Sequence, residues 1–151
     1  MLVVTDMAPT DALVDRLVQL GASLGADLEA PEVVDAKAAY DAKIAEFQQV
    51  AAGKSDLEGL FVSFDPSMIY LGGPKNVSEL IWLSSLGMNF ANADSEMASE
   101  YWEELSTEQV ILYPADVIYS DVYSMLQTMD DLNAVPIFAA LPAVEAGQVG
   151  L

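Results

Sequence analysis

The 151-residue chain has no cysteine and no histidine. Thiol nucleophiles, disulfides, Ser-His-Asp triads, Cys/His zinc sites and imidazole-ligated haem are thereby excluded before any motif is sought. Basic residues are scarce as well: five Lys plus Arg stand against 24 Asp plus Glu, a formal net charge of −19. Such a chain repels phosphate backbones and anionic lipid surfaces, and its few scattered cations form no basic patch, so nucleic acid is excluded as a partner. No apolar run approaches the roughly 18 residues that a membrane span needs. Residues 1–6 carry neither a basic stretch nor a long apolar run, so they do not read as a signal peptide. The expectation is either a cytoplasmic protein or a piece whose leader lies upstream.

What the chain does have is apolar mass. Hydrophobic residues make up 53%, with seven Pro and nine Gly, a composition that fits one folded domain with a sizeable core rather than an acidic disordered tail.

The periodicity then assigns elements. Residues 2–5 form a short apolar run suited to a strand. Thr10 is placed to cap a helix, Asp11 suits its first turn, and Leu13, Leu17, Leu20 and Leu24 recur as one stripe that Gly25 stops. Pro31 opens a second helix with the face Val33, Ala36, Tyr40, Ile44, Phe47 and Ala51, ended by Gly53. Residues 59–64 read as a buried strand and residues 68–71 as another, with Asp65-Pro66-Ser67 between them and Gly72-Gly73-Pro74 after. Asn76 is expected to cap a helix through Leu86, with Val77, Leu80, Ile81 and Leu83 inward. Residues 88–91 suit a short strand. Ser106 and Gln109 have capping-box spacing and open a short helix that Pro114 closes. Residues 116–120 form a clear strand, Val122, Met125, Leu126 and Met129 lie at helical spacing behind it, residues 136–139 suit a last strand, and residues 142–147 a helical turn. Alternating strands and helices predict an α/β fold of three layers: a mostly parallel central sheet with helices on both faces.

No residue pattern argues for catalysis. Glu103-Glu104 and Asp130-Asp131 are adjacent pairs that diverge on a helix, where paired-acid chemistry needs convergent carboxyls; a solvated acidic face is the simpler reading. Asn92, Asp94, Ser95 and Glu96 lack the order, glycine and terminal glutamate of a calcium loop. Neither Gly21 and Gly25 nor Gly72 and Gly73 match a nucleotide-loop spacing. The aromatics are more informative. Phe64, Tyr70, Trp102, Tyr119 and Tyr123 fall near strand ends, where open α/β sheets bind ligands and where Tyr and Trp offer a flat face with a polar handle. The plainer alternative is that each ring packs in its own core.

A resemblance emerges at Leu105-Ser106-Thr107-Glu108-Gln109-Val110 and Tyr113-Pro114-Ala115-Asp116-Val117-Ile118-Tyr119. This segment resembles the "lS.E.ll...PDvI" stretch of substrate-binding proteins for iron-siderophore, haem and cobalamin ABC importers. Leu20-Gly21-Ala22-Ser23-Leu24-Gly25 is similar to the end of the helix joining that family's two lobes, and residues 36–44 to the helix after it. Residues 59–64 with Tyr70-Leu71-Gly72-Gly73, Ser78-Glu79-Leu80 with Leu86-Gly87, and Leu141-Pro142-Ala143-Val144-Glu145-Ala146-Gly147-Gln148-Val149 resemble successive parts of the C-terminal lobe.

The resemblance implies residues 1–28 as the end of an N-terminal-lobe strand plus the interlobe helix, and residues 29–151 as the C-terminal α/β lobe, stopping before the family's last helix. It implies half of a ligand cleft and a non-enzymatic role: a chelate captured outside the cytoplasmic membrane, by a periplasmic or lipid-anchored protein, and passed to a permease. No cofactor is implied, iron entering only within the bound chelate, and no catalytic residue or resident metal. The family docks its permease through one surface glutamate per lobe, for which Glu79 is the candidate here, an ordinary solvent-facing helix residue otherwise. Family members that take anionic chelates place arginines in the pocket. With Arg16 the sole arginine, the expected cargo is a neutral or cationic ferric hydroxamate, held by Phe64, Tyr70, Trp102, Tyr119 and Tyr123. Faces that would meet the other lobe predict self-association. The alternative is a stand-alone acidic α/β module in the cytoplasm that binds another protein, with a small acidic hydrolase behind it for want of a nucleophile-base pair.

Overall fold

The computed structural model describes residues 10–150; the strand expected at residues 2–5 lies outside them. Two helices lead, α1 (Thr10–Ser23) and α2 (Pro31–Ala52), the latter with Pro31 in its first turn and Gly53 at its C-cap. Asp11 occupies the first turn of α1 and Gly25, at φ +88°, follows its end, a backbone conformation that only glycine adopts without penalty. The alternating run then gives β1 (Glu58–Phe64) and β2 (Met68–Gly72), followed by α3 (Ser78–Ser85) and the short β3 (Asn89–Phe90). β4 (Trp102–Ser106) runs into a 3-10 helix (Thr107–Leu112), and β5 (Val117–Ser120) follows. The chain closes with α4 (Met129–Asn133), α5 (Pro136–Ala139), α6 (Pro142–Glu145) and β6 (Val149–Gly150).

The six strands form one sheet in the order β4-β2-β1-β5-β6, with β3 also paired to β1. β1 is parallel to β3 and β5, and β5 to β6, while the β1–β2 hairpin and the β2–β4 pair are antiparallel. Successive residues of β1 face opposite sides. Leu60, Val62 and Phe64 join Ile69, Leu71, Leu105, Ile118, Leu132, Phe138 and Val144 in the main core. Phe61 points the other way, onto a smaller cluster of Val77, Leu80 and Phe90. Helices α4 to α6 thus cover the first face and α3 the second, which is the three-layer α/β arrangement expected from the sequence. Across the second face Trp102 pairs with Gly72, and Phe61 with Tyr119. The missing Cβ at Gly72 is what lets this row close. A Cβ there would lie 2.6 Å from the Phe61 ring and 3.1 Å from Leu80, whereas Phe61 and Trp102 stack with centroids 5.8 Å apart.

Several expectations need correction. Residues 136–139 form a helical turn, not a strand: Pro136 sits at its start, and the Phe138 ring packs on Phe64 at 5.1 Å. Residues 121–127 are not helical; the helix behind β5 begins only at Met129, and Val122 and Met125 are exposed. Glu103 and Glu104 lie on a strand, which still makes them diverge, one buried and one exposed. Asn76 does not cap α3; Val77 holds that position, and the buried Oδ1 of Asn76 has no partner. Neither α1 nor α2 buries a residue. Leu17 and Leu24 of the α1 stripe are 60% and 79% exposed, while Val14 and Val18 line a groove facing Val33, Ala36 and Tyr40 of α2.

Candidate functional site

The parallel strands β1 and β5 end together at Phe64 and Ser120, where an open α/β sheet presents its ligand crevice. Three segments form this end: residues 65–67 in the β1–β2 turn, the 3-10 helix after β4, and residues 120–127 after β5. Residues 121–127 are stitched to β1 by backbone bonds from the Asp121 amide to the Val62 carbonyl (2.8 Å) and from the Met125 amide to the Phe64 carbonyl (2.8 Å). Ser124 locks the junction. Its hydroxyl accepts from the Phe64 amide at 2.9 Å and shares its proton between the Leu126 and Phe64 carbonyls at 3.1 and 3.3 Å. Ser124 and Leu126 turn inward, and the intervening side chains are forced out: Val122, Tyr123 and Met125 are 80%, 84% and 67% exposed. Three large apolar side chains held out by an anchored backbone make a platform rather than a frayed loop.

The next helix is tied to the same segment. The Asp131 carboxylate accepts from the Thr128 amide (3.0 Å), the Thr128 hydroxyl (2.7 Å) and the Gln127 amide (3.3 Å), a capping box that fixes the start of α4. These bonds, the Thr128 hydroxyl first, hold Asp131 below the usual carboxylate range. Across the platform the Ser67 side chain and amide (2.6 and 2.8 Å) do the same for Asp65, so it stays ionised at neutral pH. Residues 65–67, 107–112 and 120–127 contain Asp65, Glu108 and Asp121 but no Lys or Arg. The platform is apolar on top and negative at its edge.

The five rings singled out from the sequence do not form one rim. Phe64 is 1% exposed in the main core against Phe138, so no face of it is open to a ligand; its even position on β1 turned it inward. Tyr70, Trp102 and Tyr119 share the opposite face of the sheet. Trp102 is stacked on Phe61 and edge-on to Tyr101 (centroids 5.7 Å). Tyr119, 40% exposed, leans towards Phe47, Val50 and Ala51 of α2 over a small cavity of about 140 Å³. Only Tyr123 stands on the platform, beside Val122 and Met125, which helical spacing had hidden. The alternation of Tyr123 and Met125 with Ser124 and Leu126, a period of two that no helix gives, is the signal that could have found them. Glu79 is exposed in the first turn of α3.

A second polar cluster is structural. Glu103, 7% exposed, accepts from the Tyr113 hydroxyl at 2.8 Å and from the Ser95 hydroxyl at 3.0 Å. Burial, reinforced by this carboxylate, holds the Tyr113 hydroxyl above its usual pKa. Asn92 donates to the Gly72 carbonyl at 3.1 Å and is thereby committed to the strand junction, while Asp94 and Glu96 are exposed; among the described residues no three acidic side chains gather as a metal site would need.

Neither the protein-family models nor the curated proteins give a match to this sequence. Solved structures do. DesE, a ferric-siderophore receptor protein from Streptomyces coelicolor, is 35% identical, with a TM-score of 0.80 over 95% of this chain and 49% of that one. This chain has the fold of one lobe of the siderophore-type periplasmic binding proteins. The siderophore periplasmic binding protein from the fuscachelin gene cluster of Thermobifida fusca shares that fold at 20% identity, with a TM-score of 0.68 over 95% of this chain and 52% of its own. So does the periplasmic heme-binding protein RhuT from Roseiflexus sp. RS-1, at 21% identity and TM-score 0.64, over 90% of this chain and 51% of its own. The siderophore-type lobe described here thus spans about half the length of these proteins, all of which are binding proteins rather than enzymes.

Proposed function

We propose that this chain is the C-terminal lobe, with the interlobe helix α1, of an extracytoplasmic receptor that binds a ferric siderophore and passes it unchanged to an ABC permease. The observation that carries the reading is the 35% identity to a ferric-siderophore receptor across 95% of the chain. The platform supports it physically: Tyr123, Val122 and Met125 are exposed at the strand ends without any local packing that needs them there.

Charge narrows the cargo. The three segments at this end carry no Lys or Arg, and Asp65 is held ionised. A trianionic catecholate chelate would leave those charges unpaired at a desolvated contact, whereas a neutral or cationic ferric hydroxamate meets no such penalty. Tyr123 is the ring in position to contact it. On the permease side, the exposed Glu79 on α3 is the proposed contact for a basic residue. The acidic protein-interaction module is the less favoured reading, since the matched structures are ferric-siderophore and heme-binding proteins.

The test is a fluorescence titration reading Trp82 and Trp102. A ferric trihydroxamate should bind more tightly than a ferric tris-catecholate, and Tyr123→Ala should weaken the hydroxamate by roughly tenfold, the cost of losing one exposed aromatic contact. Tighter catecholate binding contradicts the proposal.

A further inference from the structure

Strand β4 is an outer edge of the sheet, paired with β2 on one side and with no strand on the other among the described residues. The ladder fixes which of its backbone groups point outward. At the turn of the β1–β2 hairpin Asp65 and Met68 exchange both backbone bonds, at 3.0 and 3.3 Å. Met68, Tyr70 and Gly72 therefore turn their N–H and C=O groups to β1, and Ile69 and Leu71 turn theirs to β4. The Gly73 amide on the Tyr101 carbonyl, at 3.2 Å, continues that odd-numbered series. Ile69 and Leu71 stand opposite Leu105 and Glu103, which leaves the N–H and C=O groups of Trp102 and Glu104 on the open side. Ser106, next in the same row, agrees: its amide bonds the Gln109 side chain at 2.9 Å. The outward groups of Trp102 and Glu104 take no bond from the described residues. We propose that this edge accepts, antiparallel to β4, an extended basic segment of a partner protein in which Lys or Arg alternates with apolar residues.

What guards the edge decides the partner. β4 contains no proline, and its five consecutive pairs with β2 leave no bulge, so backbone geometry does not turn another strand away. The guard is charge. Glu100, Glu104 and Glu108 are exposed along and beside β4, and no Lys or Arg occurs after Lys75. A second copy would bring the same carboxylates against the first, whereas a basic strand brings the opposite sign. The partner residue opposite Glu104 exchanges both backbone bonds with it and shares its sheet face, so a Lys or Arg there pairs with the Glu104 carboxylate. The following residue turns to the other face. There Ile111 and Leu112 are exposed next to Tyr113, whose hydroxyl bonds Glu103, and an apolar side chain suits that position.

The test titrates the whole ¹⁵N-labelled chain with short blocked peptides. One alternates Lys and Val, one alternates Glu and Val, and two copies of the first are N-methylated, at every Lys or at every Val. The Lys–Val peptide should shift the Trp102 and Glu104 amides saturably and slow their hydrogen exchange at least roughly tenfold. The Glu–Val peptide should leave them unmoved. Methylation at Lys removes the N–H groups that face Glu104 and should weaken binding at least roughly tenfold, while methylation at Val, whose N–H groups point away, should leave it intact. Those two peptides carry equal charge, which separates strand pairing from simple attraction to a −19 chain. Glu104→Lys, at an exposed position, should weaken the Lys–Val peptide by about tenfold with the rest of the spectrum retained. No response at Trp102 and Glu104, equal binding of the two methylated peptides, or unchanged binding in Glu104→Lys would each overturn the proposal. The cargo reading has its own titration and stands or falls apart from these outcomes.

Discussion

Ser124 accepts the Phe64 amide proton at 2.9 Å and returns its own to carbonyls at 3.1 and 3.3 Å, with 2% of its surface exposed. Replacing it by alanine strands the Phe64 amide next to the main core without water to take its place. Ser124→Ala is therefore expected to cost about 1–3 kcal/mol in urea unfolding, the penalty of a buried unsatisfied donor. It should also speed amide exchange through residues 121–127, since Tyr123 and Met125 are held out by that anchor. A neutral stability effect would mean the platform is positioned by something else. Nothing in the sequence marked Ser124. A serine after a strand reads as turn chemistry, and its burial follows from tertiary contact with a strand sixty residues earlier in the chain.

Among the elements, α4 depends on its cap. It is five residues long, and its N-cap Thr128 receives the Asp131 amide while Asp131 receives Thr128 and Gln127. Because the folded pKa of Asp131 is lowered, its contribution is fully present above the unfolded carboxylate pKa of about 4 and fades as pH falls through the lower folded value. Amide exchange at Gln127 and Thr128, corrected for intrinsic rates, should therefore accelerate below about pH 4, and Asp131→Asn should show at neutral pH the faster exchange that the wild type shows only in acid. Exchange flat across that range would remove the cap's role. Element identity was legible wherever local chemistry and burial agree. Pro31 opens α2, Ser106 and Gln109 share a capping bond at 2.9 Å, and β1, β2 and β5 follow their apolar runs. It failed where tertiary packing overrode pattern. The apolar run at Pro136 was buried as a helical turn, β4 was hidden by its two adjacent glutamates, of which Glu103 is buried, and the spacing after β5 mimicked a helix although the chain there makes a turn closed by the Ser124 amide on the Asp121 carbonyl. The candidate site suffered most, because a ring's face is set by strand parity: one register step separates buried Phe64 from a ligand-facing position.

At the scale of the whole molecule, two features stand apart from the core. Apolar side chains on the leading helices remain open, with Leu17 60%, Leu24 79% and Val50 54% exposed. The grooves that α2 shares with α1 and α3 have volumes of about 580 and 480 Å³. We propose that these faces self-associate once the repulsion of a −19 chain is screened. Sedimentation should show dimers growing with salt, and Leu17→Glu with Leu24→Glu should restore the monomer; a strict monomer at high salt and concentration contradicts this. The family was legible because many loose motifs occur in the right order, which single positions could not convey. The other feature is the platform at the ends of β1 and β5, and the account stands on cargo docking there. Paramagnetic broadening of backbone amides by a bound ferric trihydroxamate reads that location directly. The account predicts broadening centred on Val122, Tyr123 and Met125 and spreading to Asp65, with residues 40–50 of α2 unaffected. Broadening centred on the α1–α2 groove, or spread evenly over the surface, would contradict it.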